Sequence, residues 1–360
     1  MALLLALLLA APGADLGHLP PAPVRQYAIA WSKPLVPGDL LDWQVEELGG
    51  PGVDPTTRTV VVGLRSGELR AFRADGEALW EFQAGAGFAA PPLVRDGVVY
   101  AGSQDGWLYA RDLATGKERW RYEVGEEVGA QPVWVGGLVV FATLEDSVVA
   151  VDAGTGTWKW HHRRDQREGF TVRGCAPTVR IGDLLYAGYS DGWVAALDPA
   201  TGAVKWERRV APNGDFVDVD GLATDGKALF AASFSGAVTA LDPGTGRTLW
   251  ERKAPGATRL SAADGQVYAV TTTSVLALSA RNGNPVWTQP LEGVPLAAPV
   301  RAGPRLLVAN GRGLLFLDPG SGMRIRTLAP GTGVSTAPAV AGRRVYVLSN
   351  GGTLLALDLE

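Results

Sequence analysis

The stretch Gly192–Trp206, GWVAALDPATGAVKW, decides the fold, because its parts recur along the whole chain. Gly106–Trp120 reads GWLYARDLATGKERW, and Gly236–Trp250 reads GAVTALDPGTGRTLW. Looser copies are Gly67–Trp80 (GELRAFRADGEALW), Ser147–Trp160 (SVVAVDAGTGTWKW) and Val275–Trp287 (VLALSARNGNPVW). Gly313–Ile325 (GLLFLDPGSGMRI) keeps everything except the Trp, and Gly352–Asp358 (GTLLALD) stops half-way. The first half of each copy alternates at period two, which suits a strand packed on both faces. The Asp residues at 112, 152, 198, 242, 318 and 358 are read as equivalent strand-closing turns, where a carboxylate accepts nearby backbone N–H groups. Gly then supplies the positive φ of a short hairpin. The segment ending in Trp pairs back as the next strand. An indole every 40 residues or so is more apolar surface than one small sheet can bury, so neighbouring copies must stack.

A further pair of strand signals precedes each copy: Ala-Pro, an apolar pair, a turn, another apolar run. Ala90–Tyr100 (APPLVRDGVVY), Ala176–Tyr186 (APTVRIGDLLY) and Ala337–Tyr346 (APAVAGRRVY) are examples. Outer-strand positions Trp31, Trp80, Trp120, Trp160, Trp206, Trp250, Trp287 and Ile325 count eight units. Four antiparallel strands repeated eight times predict an all-β, eight-bladed β-propeller. Seven blades is the alternative, if Pro51–Gln83 is irregular. Tyr27–Lys33 (YAIAWSK) is a Trp-bearing strand without partners of its own, whereas the last copy lacks an outer strand. The N-terminal strand is expected to complete the last blade, closing the ring and removing its open edge. The expected division is 1–17 a signal segment, 18–26 a linker, and 27–360 one propeller.

Met1–Ala11 (MALLLALLLAA) is too short to span a bilayer and reads as a secretory signal with cleavage near Ala10–Ala14, although only the Met1 amine is charged. The net charge of −4, with no basic stripe, argues against nucleic acid as a partner. One Cys excludes an internal disulfide. His161 and His162 are adjacent on a predicted strand and point to opposite faces, and Cys175 is not at a ligand spacing, so neither a metal nor a cofactor is expected. Phosphate loops and nucleophile elbows are missing, and an Asp repeated in every unit serves structure rather than catalysis. The chain is read as a non-enzyme.

Successive Trp spacings are 40 (Trp80 to Trp120, Trp120 to Trp160), then 46 (Trp160 to Trp206) and 44 (Trp206 to Trp250), then 37 (Trp250 to Trp287). The extra residues of the two long units fall in Arg163–Cys175 and Pro212–Gly221, before inner strands, on one rim of a propeller. Insertions grouped on one face often mark the binding face, and loop drift is the plain alternative. The first insertion sets Phe170 and Val172 beside Arg173, and the second sets Phe216 beside Asp218 and Asp220. Apolar anchors next to a guanidinium resemble an interface hot spot. Arg173 can equally pair with Asp218 or Asp220 inside the chain.

The repeat ALD-x-x-TG-x-x-x-W resembles the pyrroloquinoline-quinone-type propeller repeat, shared by quinoprotein dehydrogenases and by propellers that hold no cofactor. Phe170–Pro177 (FTVRGCAP) and Asp218-Val219-Asp220 resemble the matching loops of the BamB family, eight-bladed subunits of the outer-membrane β-barrel assembly machinery. The resemblance implies a non-catalytic periplasmic scaffold at the inner face of the outer membrane, a monomer within a complex. It implies contact with the POTRA region of a BamA-like protein through Phe170, Val172, Arg173, Asp218 and Asp220, with unfolded outer-membrane proteins as further partners. It stops short of the lipid anchor: the family's Cys after the signal is not matched, because the one Cys is Cys175. A quinone-binding propeller or quinoprotein dehydrogenase is the alternative. It fits less well, since those enzymes are longer and carry an adjacent Cys pair. A generic extracellular adhesion or signalling propeller is a third reading.

Overall fold

A computed structural model of the chain describes residues 26–36, 47–164, 176–212, 214, 216–293 and 296–360. Within them, eight sheets of four antiparallel strands follow one another in sequence order. Blades 1 to 7 span Pro51–Gln83, Leu93–Glu123, Val133–Arg163, Val179–Arg209, Val219–Lys253, Arg259–Pro290 and Val300–Leu328. Blade 8 takes three strands from Ala339–Leu359 and its outer strand from Tyr27–Pro34. That strand runs in register from Tyr27 opposite Leu359 to Pro34 opposite Thr353. Eight blades, with closure by the N-terminal strand, are as the repeat count predicts. Pro51–Gln83 is a regular blade.

The repeated residues stitch each blade to the next. Trp120 donates its indole N–H to the Ala153 carbonyl (3.0 Å), and Trp160 does the same to Pro199 (2.9 Å) and Trp206 to Pro243 (2.9 Å). Trp31, Trp80, Trp250 and Trp287 repeat the contact with Ala74, Leu113, Ala280 and Pro319. Each acceptor lies in the turn of the following blade, two or three residues before a Gly on which the indole rests. A Cβ on Gly156 would sit 2.6 Å from Trp120, and one on Gly202 2.6 Å from Trp160. Inside the blade, the indole leans on a second-strand aromatic, as in Tyr186–Trp206 (5.8 Å) and Tyr268–Trp287 (5.9 Å). The Asp that opens each turn accepts from the residues after it. Asp152 Oδ1 takes the N–H of Gly154 and of Thr155 and the Thr155 hydroxyl, and Asp318 does likewise with Gly320 and Ser321.

Two expectations need correction at the seam. Asp358 closes no turn: it lies inside the final strand and pairs with Arg344 at 2.7 Å. In blade 7 the residue at the Trp position is Arg326, not Ile325. Arg326 pairs with Phe316 as Trp206 pairs with Ala196, because each outer strand carries a one-residue bulge. Both departures fall at one corner, where the outer strand of blade 8 comes from Tyr27–Pro34 and no hairpin turn joins it to the third strand.

The hairpin turns form one end of the ring. The connections between blades, and the turns between second and third strands, form the other. This second end is the connection face.

Candidate partner-binding face

The connection from blade 3 to blade 4 spans 164–178, whereas that from blade 4 to blade 5 spans 210–218 and is no longer than 84–92 between blades 1 and 2. The second expected insertion therefore needs correction: its extra residues enter the six-residue inner strand Val219–Thr224 rather than lengthening the connection. Outer strands end at Arg163 and Arg209, and the next inner strands start at Val179 and Val219. Both connections leave the ring on the same face. Phe170, Val172, Arg173 and Cys175 lie outside the described residues.

Where the first connection leaves blade 3, Arg164 turns back onto blade 4. Its guanidinium pairs with Asp191 (2.8 Å) and Glu207 and lies over the Trp193 ring at 5.1 Å. Arg163 pairs with Glu126 and Glu145, each at 3.2 Å. His161 is exposed, whereas His162 is half-buried with its Nδ1 2.8 Å from the Tyr189 hydroxyl. The pair therefore diverges as alternation predicts, and burial holds the His162 pKa below its usual value.

Blade 3 contributes Asp146. Its backbone φ is +59°, in the slot that Gly106 (+81°) and Gly192 (+83°) fill in neighbouring blades. A short polar side chain tolerates this conformation. Its carboxylate reaches across to blade 4, accepting the Ser190 N–H at 2.9 Å and the Ser190 hydroxyl. Desolvation raises the Asp146 pKa despite these bonds, with Asp191 and Asp218 adding to the effect.

The second connection is tied down beneath its tip. Val219 N–H donates to the Tyr189 carbonyl (3.1 Å), and the Ser233 hydroxyl donates to the Val217 carbonyl (3.1 Å). Val219 also fills the space above Gly188, where a Cβ would lie 2.6 Å away. At the tip, Phe216 adopts φ +55° and is 42% exposed, with its ring 6.2 Å from Phe234. A positive φ on an aromatic residue is strained, so the surrounding bonds over-determine it. Asp218 and Asp220 come together below that tip, each 1% exposed. Burial pushes the Asp220 carboxyl up to about 7, and Asp218 and Asp146 add to this against the opposing Arg259 charge. Arg259 directs its guanidinium to main-chain oxygens of Leu296, Asp220 and Thr258.

The sequence singled out Asp218 and Asp220 but not Asp146, Ser190, Arg164 or Arg259. One signal for Asp146 was present: Asp stands where the matching units have Gly. Among the described residues, no group of three or more His, Cys, Asp or Glu is placed to hold a metal ion. The described residues of this face supply packing, ion pairs and buried carboxyls.

The family description "Outer membrane protein assembly factor BamB" matches residues 28–115, 65–289 and 271–360. The outer membrane protein assembly factor BamB of Alkalilimnicola ehrlichii is 34% identical over 201 residues, which is 52% of this chain and 52% of the relative. The chain thus spans about half the length of the curated relatives it matches. The crystal structure of BamB from Moraxella catarrhalis superposes with a TM-score of 0.78 at 24% identity, covering 92% of this chain and all of that one. The quinohemoprotein alcohol dehydrogenase of Comamonas testosteroni superposes at 0.73 with 17% identity, covering 93% of this chain and 77% of that one. At such identities the two likenesses speak for the ring architecture alone. The family match spans nearly the whole ring, and on that ground the chain belongs to the BamB family of outer membrane protein assembly factors.

Proposed function

We propose that the protein is a non-catalytic periplasmic scaffold that assists assembly and insertion of β-barrel proteins into the outer membrane. It binds a BamA-like partner through the connection face of blades 3 to 5. The observation that carries this reading is that the connections from blade 3 to blade 4 and from blade 4 to blade 5 lie side by side on one face of a closed ring, with Phe216 exposed at the tip of the second. A rigid ring holds such a surface in one shape, so little ordering entropy is lost on association. Phe170, Val172 and Arg173 are the contacts proposed on the first connection. Asp218 and Asp220 act on the second from below, holding the segment whose Phe216 meets the partner. Unfolded outer-membrane proteins are a second class of proposed partner, and the leading apolar run serves as the export signal. Nothing on this face favours quinone chemistry over this reading.

The test is capture of the protein by the immobilised POTRA region of a BamA-like partner. Truncating a buried aromatic anchor typically costs about 2 kcal/mol, roughly thirtyfold in affinity. Phe216→Ala and Arg173→Glu should each weaken capture by at least tenfold. Lys117→Glu, on the opposite end of the ring, should leave it unchanged. Equal capture by all three variants would remove this face from the reading.

A further inference from the structure

The junction under the second connection holds the buried carboxyl of Asp220, and its surroundings bear on its charge state. Asp220 is the extra residue of a bulge: Val219 pairs with Ser233 and Gly221 with Ala232, leaving Asp220 between them. A bulge re-aims the side chain it carries. Here Asp220 lines a small cavity of about 10 Å³ with Thr143, Asp146, Tyr189 and Ser190. The cavity has room for about one water molecule. Among the described residues, the buried Asp220 Oδ1 has no hydrogen-bond partner.

We propose that Asp220 holds a proton in the native protein near neutral pH, and that its loss weakens the junction between blades 3, 4 and 5. This concerns the ring itself and stands whether or not a partner binds the face.

The groups around the carboxyl support this one by one. From blade 3, Asp146 brings a second carboxylate, already engaged by Ser190. From its own connection, Asp218 brings a third. From blade 4, the Tyr189 hydroxyl is taken up with His162, while Arg164, Asp191 and Glu207 satisfy one another. From blade 6, Arg259 is the facing cation, and its hydrogen bonds go to the carbonyl oxygens of Leu296, Asp220 and Thr258 rather than to the Asp220 carboxylate. An ionised Asp220 would therefore be a desolvated charge beside like charges, with no donor to its buried Oδ1 among the described residues. A protonated carboxyl removes that charge and gains an O–H donor, which an acceptor across the cavity can take directly or through one water.

The sign follows from the raised native pKa. The native state binds the proton more tightly than the unfolded chain, so the contribution of Asp220 to stability is greatest in acid. It falls as the pH rises from the ordinary carboxylate range toward 7, and the loss is complete above that. His162, whose pKa is lowered, contributes in the opposite direction, so the variant comparison isolates Asp220.

The experiment is twofold. The first arm follows the side-chain carboxyl carbons of the native protein by 13C NMR from pH 4 to 9, assigning Asp220 by difference with Asp220→Asn or Asp220→Ala. A midpoint near 7 is expected. The second arm measures urea unfolding of wild type and Asp220→Asn. Between pH 5 and 7 the wild-type unfolding constant should rise by up to about tenfold per pH unit relative to the variant. A native Asp220 midpoint below 5, or parallel pH profiles for the two proteins, would overturn the proposal. The NMR arm on wild type decides the matter even if one variant folds poorly.

Discussion

Adding a single methyl group to the turn of blade 4 separates the blade-to-blade clasp from ordinary turn chemistry. Gly202 has φ +73°, and a Cβ there would lie 2.6 Å from Cε3 and 2.7 Å from Cδ2 of Trp160. Gly182, in another turn of the same blade, has φ +57° and nothing within 4 Å of its virtual Cβ. Both Gly→Ala variants incur the left-handed backbone cost of about 1–2 kcal/mol. Only Gly202→Ala must also push away an indole that is 4% exposed. Displacing it strains or breaks the 2.9 Å bond from Trp160 to the Pro199 carbonyl, about 0.5–1.5 kcal/mol, and disturbs close packing, about 1–3 kcal/mol. The expected gap between the variants is therefore about 2–4 kcal/mol. Urea unfolding followed by tryptophan fluorescence reads it as a difference in midpoint at similar slope. Equal midpoints for Gly202→Ala and Gly182→Ala would refute the clasp, because the indole would then be resting on nothing that matters.

Two further outcomes follow from the same architecture. Starting the chain after Pro34 strips the partner from the apolar edge Thr353–Leu359, so size-exclusion chromatography with light scattering should show self-association, and a monomer with unchanged melting would contradict the proposed seal. Hydrogen bonds from Arg119 to Asp112, from Thr155 to Asp152, from Lys205 to Asp198, from Thr245 to Asp242 and from Ser321 to Asp318 hold those carboxyl pKa values below the usual range. Their contribution is thus fully present above about pH 4 and lost as the pH falls through the depressed values. Replacing the five with Asn should flatten the acid limb of a stability profile, and an unaltered limb would show that the turns do not sense acid.

The ring was readable in the sequence because its clasp uses three residue types with incompatible alternatives. An indole needs a large apolar site, a left-handed turn needs Gly, and the Asp before it needs free N–H groups. Their recurrence at one spacing leaves few architectures other than stacked blades. The seam misled for the same reason. Counting apolar residues put Ile325 at the clasp position, whereas the interval from Asp198 to Trp206 recurs from Asp318 to Arg326. An outer-strand bulge shifts the face by one residue, so a tally of apolar letters slips where the Asp-to-clasp interval does not.

The candidate face was half readable, and the missing half is instructive. A lengthened unit is visible in linear spacing, but whether the added residues extend a connection, as in 164–178, or an inner strand, as in Val219–Thr224, is not. Burial is not visible there. Asp218 and Asp220 read as surface charges because carboxylates are mostly exposed. What puts Asp220 out of water is Asp146 and Ser190, from two other blades, and only ring closure brings these within reach. The Asp in a Gly slot at 146 was the local trace of that arrangement, since a left-handed Asp is tolerated where its carboxylate has a task. The cavity beside Asp220 has room for about one water molecule, too little to solvate a charge as bulk water does. A buried carboxyl in that position either finds a donor or keeps its proton. With the Arg259 bonds directed to carbonyls, the second option is the one the geometry leaves to Asp220.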